Sequence, residues 1–208
     1  MFETSDLNTI KTLIINKSES VISLELDRAA SSKRIKILKE HALEKKIKVE
    51  TKNFKNSKTK INLKFEPSEP KNIEYLERLV EKKKNPVILL LDHITDPNNL
   101  GSILRSCFGA NVDAVVVPKS RSCHLTKSVR EVSKGSSELV PFVIVPNLKR
   151  VSDILKIRGF KIYGAESSIN SQVIYDVNLK EKICLIIGSE NNGTVSYTHL
   201  TLPTIFRV

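Results

Sequence analysis

Two polar segments of the sequence carry residue types that can do chemistry, and each directly follows an apolar run. The first, residues 92–106, reads DHITDPNNLGSILRS after VILLL. Pro97 and the two asparagines behind it are typical of a turn and a helix start, which is a structural role. Helical spacing puts Arg105 on one face with Ser102 and Asn98. Its guanidinium either pairs with a surface carboxylate or binds a phosphate through two parallel hydrogen bonds, and the residues alone leave both roles open.

The second segment, residues 186–193, reads IIGSENNG and also begins inside a strand-like run. Gly188 lets a backbone approach a ligand closely, and Gly193 can adopt a positive φ. Glu190 supplies a hydrogen-bond acceptor. A G-x-E-x-x-G loop is by itself most often only a turn, and it matches neither the P-loop nor the dinucleotide-binding glycine pattern. A nucleotide-dependent enzyme of another kind therefore has little support.

The net charge favours a polyanionic partner. Lys and Arg number 34 against 23 Asp and Glu, which gives a formal charge of +11 and a pI of about 9.6. RNA or DNA is the first expectation, ahead of an acidic membrane face. Residues 33–64 hold twelve basic side chains against three glutamates, and a solvated lysine-rich face explains this as well as a nucleic-acid surface does. The candidate RNA-binding residues are Lys33, Arg34, Lys36, Lys45, Lys46 and Arg121.

Cysteine and histidine usage gives no sign of a disulfide framework or a metal site. The widely spaced residues are Cys107, Cys123 and Cys184, together with His41, His93, His124 and His199. For each histidine a structural or surface role outweighs a catalytic one. No apolar run reaches the roughly 20 residues that span a bilayer, and the N-terminus lacks a signal-peptide pattern. We expect a cytoplasmic protein with no membrane partner and no metal.

The first part of the chain predicts a small α/β unit. Strands are predicted over 20–26, 47–50 and 61–65, and a helix over 33–46. The two prolines of EPSEPKN interrupt this pattern before IEYLERLV, whose apolar spacing is helical. We therefore divide this part into a small basic domain, residues 1–66, and a linker with a helix, residues 67–85.

From residue 86 onward, predicted strands and helices alternate. The strands are 87–91, 114–117, 140–145, 161–165 and 183–187, and the helices are about 100–109, 125–134 and 148–157. The strands are nearly continuous Val, Ile and Leu, which is typical of a parallel sheet buried on both faces. The predicted fold class is thus α/β with a mostly parallel sheet. Ligands bind such sheets at the carboxyl ends of the strands, where both polar segments lie.

Taken together, the two polar segments resemble the first and second signature motifs of the SpoU/TrmH (SPOUT) family of RNA 2′-O-ribose methyltransferases. The stretch VPKSRSCHLTKSVREVSKGSSELVPFVIVPNL between them is similar to the subgroup that methylates a guanosine ribose in large-subunit (23S) rRNA. The likeness covers about residues 86–194. The preceding domain is similar in element order to that subgroup's small RNA-binding domain, but it lacks the usual glycine-containing opening motif.

This resemblance implies a SPOUT-type sheet with a C-terminal trefoil knot, S-adenosylmethionine as cofactor, rRNA as substrate and a homodimer. It assigns catalytic roles to Asn99 and Arg105. It assigns cofactor contacts to Gly188, Glu190, Gly193 and Ala165. A tRNA substrate and a non-catalytic RNA-binding protein of the same fold are the alternatives.

The resemblance implies that Arg105 is the base that takes the proton of the ribose hydroxyl. An arginine side chain stays protonated in proteins, which makes it a demanding base for a ribose hydroxyl. We therefore expect Arg105 to hold the phosphate of the target and orient the 2′-OH, while Asn99 fixes the loop and Arg105.

After the second motif the sequence departs from the family pattern. Relatives continue to a third motif with Ser-Leu-Asn, which closes the knot, supplies much of the cofactor pocket and contributes to the dimer contact. This chain instead ends in VSYTHLTLPTIFRV, which resembles translated adapter sequence. We expect residues 195–208 to be a non-native tail, with a short native strand as the alternative. The methyltransferase domain, residues 86–194, is then truncated, its knot incomplete, and the chain as written inactive, whereas the intact parent protein is an enzyme.

Overall fold

A computed structural model describes residues 1–54, 60–165 and 180–188, together with the backbone of strand residues 172–173 and 204–207. The elements before the linker form a four-stranded sheet with two helices. They are β1 (Phe2–Thr4), α1 (Leu7–Asn16), β2 (Val21–Asp27), α2 (Lys33–Glu44), β3 (Lys48–Lys52) and β4 (Ile61–Phe65). The strand order is β1-β4-β2-β3, with β2 parallel to β3 and antiparallel to β4.

Both helices of this part begin at side-chain caps. The carboxylate of Asp6 accepts a hydrogen bond from the N–H of Thr9 at 2.9 Å, and the hydroxyl of Ser32 accepts one from Ile35 at 3.3 Å. The sequence analysis did not predict β1 and α1. The signal for α1 was nevertheless present, because its apolar residues recur at helical spacing behind Asp6 and are buried. These buried residues are Ile10, Leu13 and Ile14.

An ion-pair ladder crosses the small sheet. Buried Glu25 on β2 accepts from Lys52 on β3, and from Lys64 on β4 at 2.9 Å. Burial by itself would raise the pKa of Glu25, but the hydrogen bonds from Lys52, Lys64 and Asn62 lower it to about 2. Lys64 also lies 3.5 Å from Glu3 on β1. Several lysines of the basic stretch are therefore neutralised within the sheet.

The elements from the linker onward form a larger, parallel sheet flanked by helices. They are α3 (Ile73–Lys82), β5 (Val87–Leu91), α4 (Pro97–Gly109), β6 (Ala114–Pro118), α5 (Lys127–Ser133), β7 (Phe142–Val145), α6 (Leu148–Ile157), β8 (Lys161–Ala165), β9 (Gln172–Val173), β10 (Ile183–Ile187) and β11 (Thr204–Arg207). The strand order is β7-β6-β5-β10-β8-β11-β9. Every described pair is parallel. The predicted α/β class with a mostly parallel sheet is confirmed.

Several element bounds differ from the sequence prediction by a few residues, and three of these differences have local reasons. Helix α4 begins at Pro97 rather than near 100, because Asp96 caps it. Helix α5 ends at Ser133, because Lys134 adopts φ +53. Strand β7 begins at Phe142 rather than 140, because a 3₁₀ turn, Ser136–Glu138, precedes it.

Two apolar clusters cover the two faces of the larger sheet. Side chains of β5 alternate between them: Ile88 and Leu90 pack with α3 and α6, and Leu89 and Leu91 pack with α4 and α5. This double burial explains why the strands are apolar throughout. None of the helices in the described part of the chain is long and apolar enough to cross a membrane. The domain bounds, the knot and the non-native tail stay predictions, although β11 within that tail pairs with β8 and β9.

Candidate active site

Three strand ends meet at the carboxyl edge of the larger sheet. Leu91 of β5 pairs with Ile187 of β10, which in turn pairs with Ala165 of β8. The N–H of Asp92 donates to the carbonyl of Ile187 at 2.8 Å, so the loop after β5 is tied to the end of β10. Gly188 follows immediately. The structure thus places two predicted cofactor contacts, Ala165 and Gly188, at the ends of neighbouring strands.

This edge suits a cofactor that needs close approach to the backbone. Ala165 and Gly188 are half-buried, and neither has a long side chain to cover the strand ends. The carboxyl ends of parallel strands are also where α/β sheets bind ligands. The described residues therefore fit S-adenosylmethionine. The other two predicted cofactor contacts, Glu190 and Gly193, lie outside the described residues.

Helix α4 begins at the same edge and carries the two predicted catalytic residues. Its cap is Asp96, whose carboxylate accepts from the N–H of Asn98 at 2.8 Å. Asn99 is half-buried in the first turn. Arg105 is exposed and lies eight residues beyond Pro97, which is about 12 Å along the helix axis at 1.5 Å per residue. Asn99 thus lies in the first turn of the helix that follows β5, and Arg105 lies about two turns from the start of that helix.

A close helix contact holds α4 in place. A β-carbon built on Gly101 would lie 2.7 Å from Cβ and Cγ1 of Val132 on α5. Contacts this short do not occur between real side chains, so only glycine permits this approach of α4 to α5. The orientation of Asn99 and Arg105 therefore depends on α5.

Helix α5 is itself fixed to the linker by a buried ion pair that the sequence analysis did not identify. Arg130 pairs with Glu138, and their side chains are only 10% and 2% exposed. The other oxygen of Glu138 accepts from the N–H of Ser68 at 2.6 Å, and Arg130 donates to the carbonyl of Ser68 at 2.9 Å. Ser137 donates to Glu138 at 3.1 Å. Nothing in the sequence distinguishes this pair, eight residues apart on a basic chain, from exposed charges. Its burial is visible only in the packed structure.

The small sheet joins this network directly. The ammonium of Lys17, at the end of α1, donates to the carbonyl of Glu138 at 2.8 Å. Lys134 pairs with Asp6 at 3.2 Å, and the guanidinium of Arg130 lies 5.1 Å from the ring centroid of Phe2. We call the contacts around Arg130, Glu138, Ser68 and Lys17 the junction network. It connects the helix that supports α4 to the basic domain.

Two residues at the carboxyl edge hold a left-handed backbone conformation that favours glycine. They are His93 after β5, with φ +58, and Arg121 after β6, with φ +57. The loops that carry them are bonded to each other, since the N–H of Cys123 donates to the carbonyl of Ile94 at 2.7 Å. The sequence analysis gave a structural or surface role to His93, and no sequence signal shows its backbone conformation.

The predicted RNA-binding residues fall into two groups. Lys33, Arg34 and Lys36 are exposed on the first turns of α2, and Lys45 and Lys46 are exposed just after its end. The four lysines of this cluster have no carboxylate partner among the described residues, and Arg34 donates to the amide oxygen of Asn8 at 3.2 Å. Arg121 lies apart from them, exposed in the loop after β6. The α2 cluster thus offers free positive charge, whereas Lys48, Lys52 and Lys64 are paired with glutamates.

Comparison with known proteins agrees with this geometry. Residues 86–205 match the model of the SpoU rRNA Methylase family. The chain is 41% identical over 124 residues to a 23S rRNA (guanosine-2′-O-)-methyltransferase RlmB of Blochmanniella floridana, covering 59% of this chain and 48% of the relative. It is 38% identical over 128 residues to the RlmB of Pseudomonas aeruginosa, covering 61% and 51%.

The fold is also similar to solved methyltransferase structures. The SpoU methyltransferase AviRb from Streptomyces viridochromogenes, in complex with AdoMet, superimposes with a TM-score of 0.70 at 18% identity, covering 100% of this chain and 80% of that one. The chain spans about half the length of the curated relatives it matches. The family model nevertheless covers more than half of the chain, and it includes both strand-end loops. The chain belongs to the SpoU rRNA methylase family.

Proposed function

We propose that the protein transfers a methyl group from S-adenosylmethionine to a ribose 2′-oxygen in RNA, with rRNA as the substrate. The observation that carries this proposal is the family match over residues 86–205, which includes the edge formed by Ala165 and Gly188. Relatives named 23S rRNA (guanosine-2′-O-)-methyltransferase favour a guanosine ribose in large-subunit rRNA. The proposal includes a homodimer and a cytoplasmic location.

In this proposal, one set of residues binds the cofactor and another orients the RNA. Ala165 and Gly188 border the cofactor, together with Glu190 and Gly193. When bound, S-adenosylmethionine supplies an electrophilic methyl group on a sulfonium. Arg105 holds the phosphate beside the target nucleotide, since a guanidinium matches phosphate with two hydrogen bonds.

The role of Arg105 can be tested by a change that keeps its charge. Arg105→Lys retains a cation but loses the fork of parallel donors, so we expect methyl transfer to fall about 100-fold through misplacement of the 2′-OH. The measurement is kcat/KM for the variant and the parent. Near-normal transfer by Arg105→Lys would contradict the orienting role.

The activity itself is tested with the polypeptide expressed from the complete gene, because the present chain spans only half of its relatives. Protein-free 23S rRNA and total tRNA are incubated separately with S-adenosylmethionine that carries a labelled methyl group. Nuclease digestion then identifies the modified nucleoside. We expect 2′-O-methylguanosine from the 23S rRNA. Label in tRNA alone would redirect the substrate, and RNA binding without any label would favour the non-catalytic alternative.

The α2 cluster is proposed to bind the RNA backbone. For each phosphate that the protein no longer neutralises, the slope of log affinity against log salt should fall by about 0.7–0.9. Changing Lys33, Lys36 and Lys45 to Gln should therefore flatten the salt dependence of RNA binding. The matched control is the same change at the exposed Lys82, Lys84 and Lys156, for which we expect the parent slope. Equal slopes in the two triple variants would reject this surface.

A further inference from the structure

His93 is placed at the carboxyl edge at a cost to its backbone. It follows Asp92, whose N–H is bonded to the carbonyl of Ile187, so it lies at the same edge of the sheet as Gly188, with β10 between its own strand and β8. Its φ of +58 lies in the region that glycine and asparagine tolerate best. Strained backbone of this kind clusters at functional sites, where the surrounding structure maintains it. A side chain kept at such a position is a candidate for a functional role.

The imidazole of His93 is oriented by a buried carboxylate. Its Nδ1 lies 2.6 Å from Oδ1 of Asp92, whose side chain is 4% exposed, whereas that of His93 is 40% exposed. A carboxylate accepts hydrogen bonds, so Nδ1 carries the proton and donates it to Asp92. In the neutral ring, Nε2 then has a free lone pair. A buried carboxylate, an oriented imidazole and an Nε2 with no hydrogen-bond partner among the residues that the structure describes are the arrangement of a general base in many acyl-transfer enzymes.

Methylation of a ribose hydroxyl requires a proton acceptor, and Arg105 is poorly suited to that task. A guanidinium has no free lone pair at physiological pH, and Arg105 lies two turns down α4 from the strand ends. We propose that His93 is a catalytic residue that accepts the 2′-OH proton through Nε2, and that Asp92 is the residue that positions it. This inference rests on the proposed function. It supplies the proton acceptor that the proposed function does not name.

The proposed step balances. The ribose 2′-oxygen forms a bond to the methyl carbon as the carbon–sulfur bond breaks, and the electron pair of that bond stays on sulfur. The hydroxyl proton moves to Nε2 of His93. The products are the 2′-O-methyl ribose, neutral S-adenosylhomocysteine and an imidazolium paired with the Asp92 carboxylate. The imidazolium returns its proton to water before the next turnover.

The first test removes the imidazole without straining the backbone. His93→Gly suits φ +58 better than histidine does but leaves the buried Asp92 carboxylate without this donor, so a cooperative melting transition is the check that the variant folds. RNA affinity should be unchanged, while kcat falls by about 100-fold or more, the usual contribution of a general base. Added imidazole should restore transfer in proportion to its concentration, which a structural role would not produce.

A matched variant separates the loss of a base from the loss of a side chain. His93→Asn also tolerates the left-handed conformation, but its amide is not a base and it fills the space of the ring. We expect the same loss of kcat with no rescue by imidazole. Parent-like turnover in either variant would overturn the proposal, and so would a glycine variant that imidazole does not restore.

The second test needs no turnover and uses the 208-residue chain. Nitrogen NMR of the neutral His93 ring should show the proton on Nδ1, and Asp92→Asn should change the proportion of the two tautomers. A proton on Nε2 in the parent chain would overturn the proposal. If the complete-gene polypeptide methylates no RNA, the proposed function fails and this inference fails with it. If that polypeptide is active and His93→Gly matches it, only this inference fails.

Discussion

Glu138→Gln should destabilise the protein strongly, because it leaves a buried guanidinium without its counter-charge. Arg130 is 10% exposed and its Nη1 pairs with Glu138, while the second carboxylate oxygen accepts from Ser68 at 2.6 Å. The Gln amide keeps one acceptor but turns an N–H group toward donors. Breaking a buried ion pair from one side costs about 3–5 kcal/mol. The measurement is the free energy of unfolding in urea, followed by circular dichroism.

The matched control for this prediction lies on α5, the helix that carries Arg130. Glu131 differs from Glu138 in burial, since it is 66% exposed and lies 3.9 Å from Lys127. Glu131→Gln should therefore cost no more than about 1 kcal/mol. We also expect Glu138→Gln to increase cleavage of the linker by protease, because Ser68 loses its anchor. Equal free energies of unfolding for the two variants would refute the conclusion that the junction network stabilises the fold through a buried ion pair.

Three further predictions follow from packing and protonation. Gly101→Ala should destabilise by about 1–3 kcal/mol because its methyl group would overlap Val132, whereas Gly109→Ala, with nothing within 4 Å, should be neutral or stabilising in the same urea assay. The pKa of Glu25 is about 2 in the folded chain, against an ordinary 4.5. The ionised carboxylate therefore stabilises the fold fully above pH 4.5, and this contribution is lost as the pH falls toward 2. Glu25→Gln should abolish this pH dependence of the free energy of unfolding. Burial raises the pKa of the Cys107 thiol to about 11, so a thiol reagent at pH 8 should label it only after unfolding.

Most elements of the larger sheet were predictable because their sequence carries two signals at once. VILLL and its neighbouring strands are apolar on both faces, and polar turn residues separate them from helices with one apolar face. Periodicity predicted β5, β8, β10 and α6 to the residue. Helix α1 was missed although its apolar spacing and its cap at Asp6 were readable. Strand β1 is only three residues long, and its pairing with β4 is a contact over some 60 residues that no local pattern encodes.

The candidate site was predictable in part for the same reason. The residues after β8 and β10 had to meet at one edge, because parallel strands end together. The resemblance assigned Ala165 and Gly188 to the cofactor, and the structure places Ala165 at the end of β8 and Gly188 directly after its paired neighbour β10. The roles of Arg105 and Asn99 stay predictions. The junction network was not predictable, since it joins Lys17, Ser68 and Glu138 from distant parts of the chain.

The sequence by itself determined the alternation of strands and helices, the excess of positive charge and the two polar segments that follow strands. These are local properties, set by the period of apolar residues and by the types of residue at turns. The tertiary structure alone decided which charges are free. It paired Lys52 and Lys64 with Glu25, and it buried Arg130 against Glu138. It also turned His93 against Asp92, because electrostatic partners and backbone conformation depend on neighbours that only folding supplies.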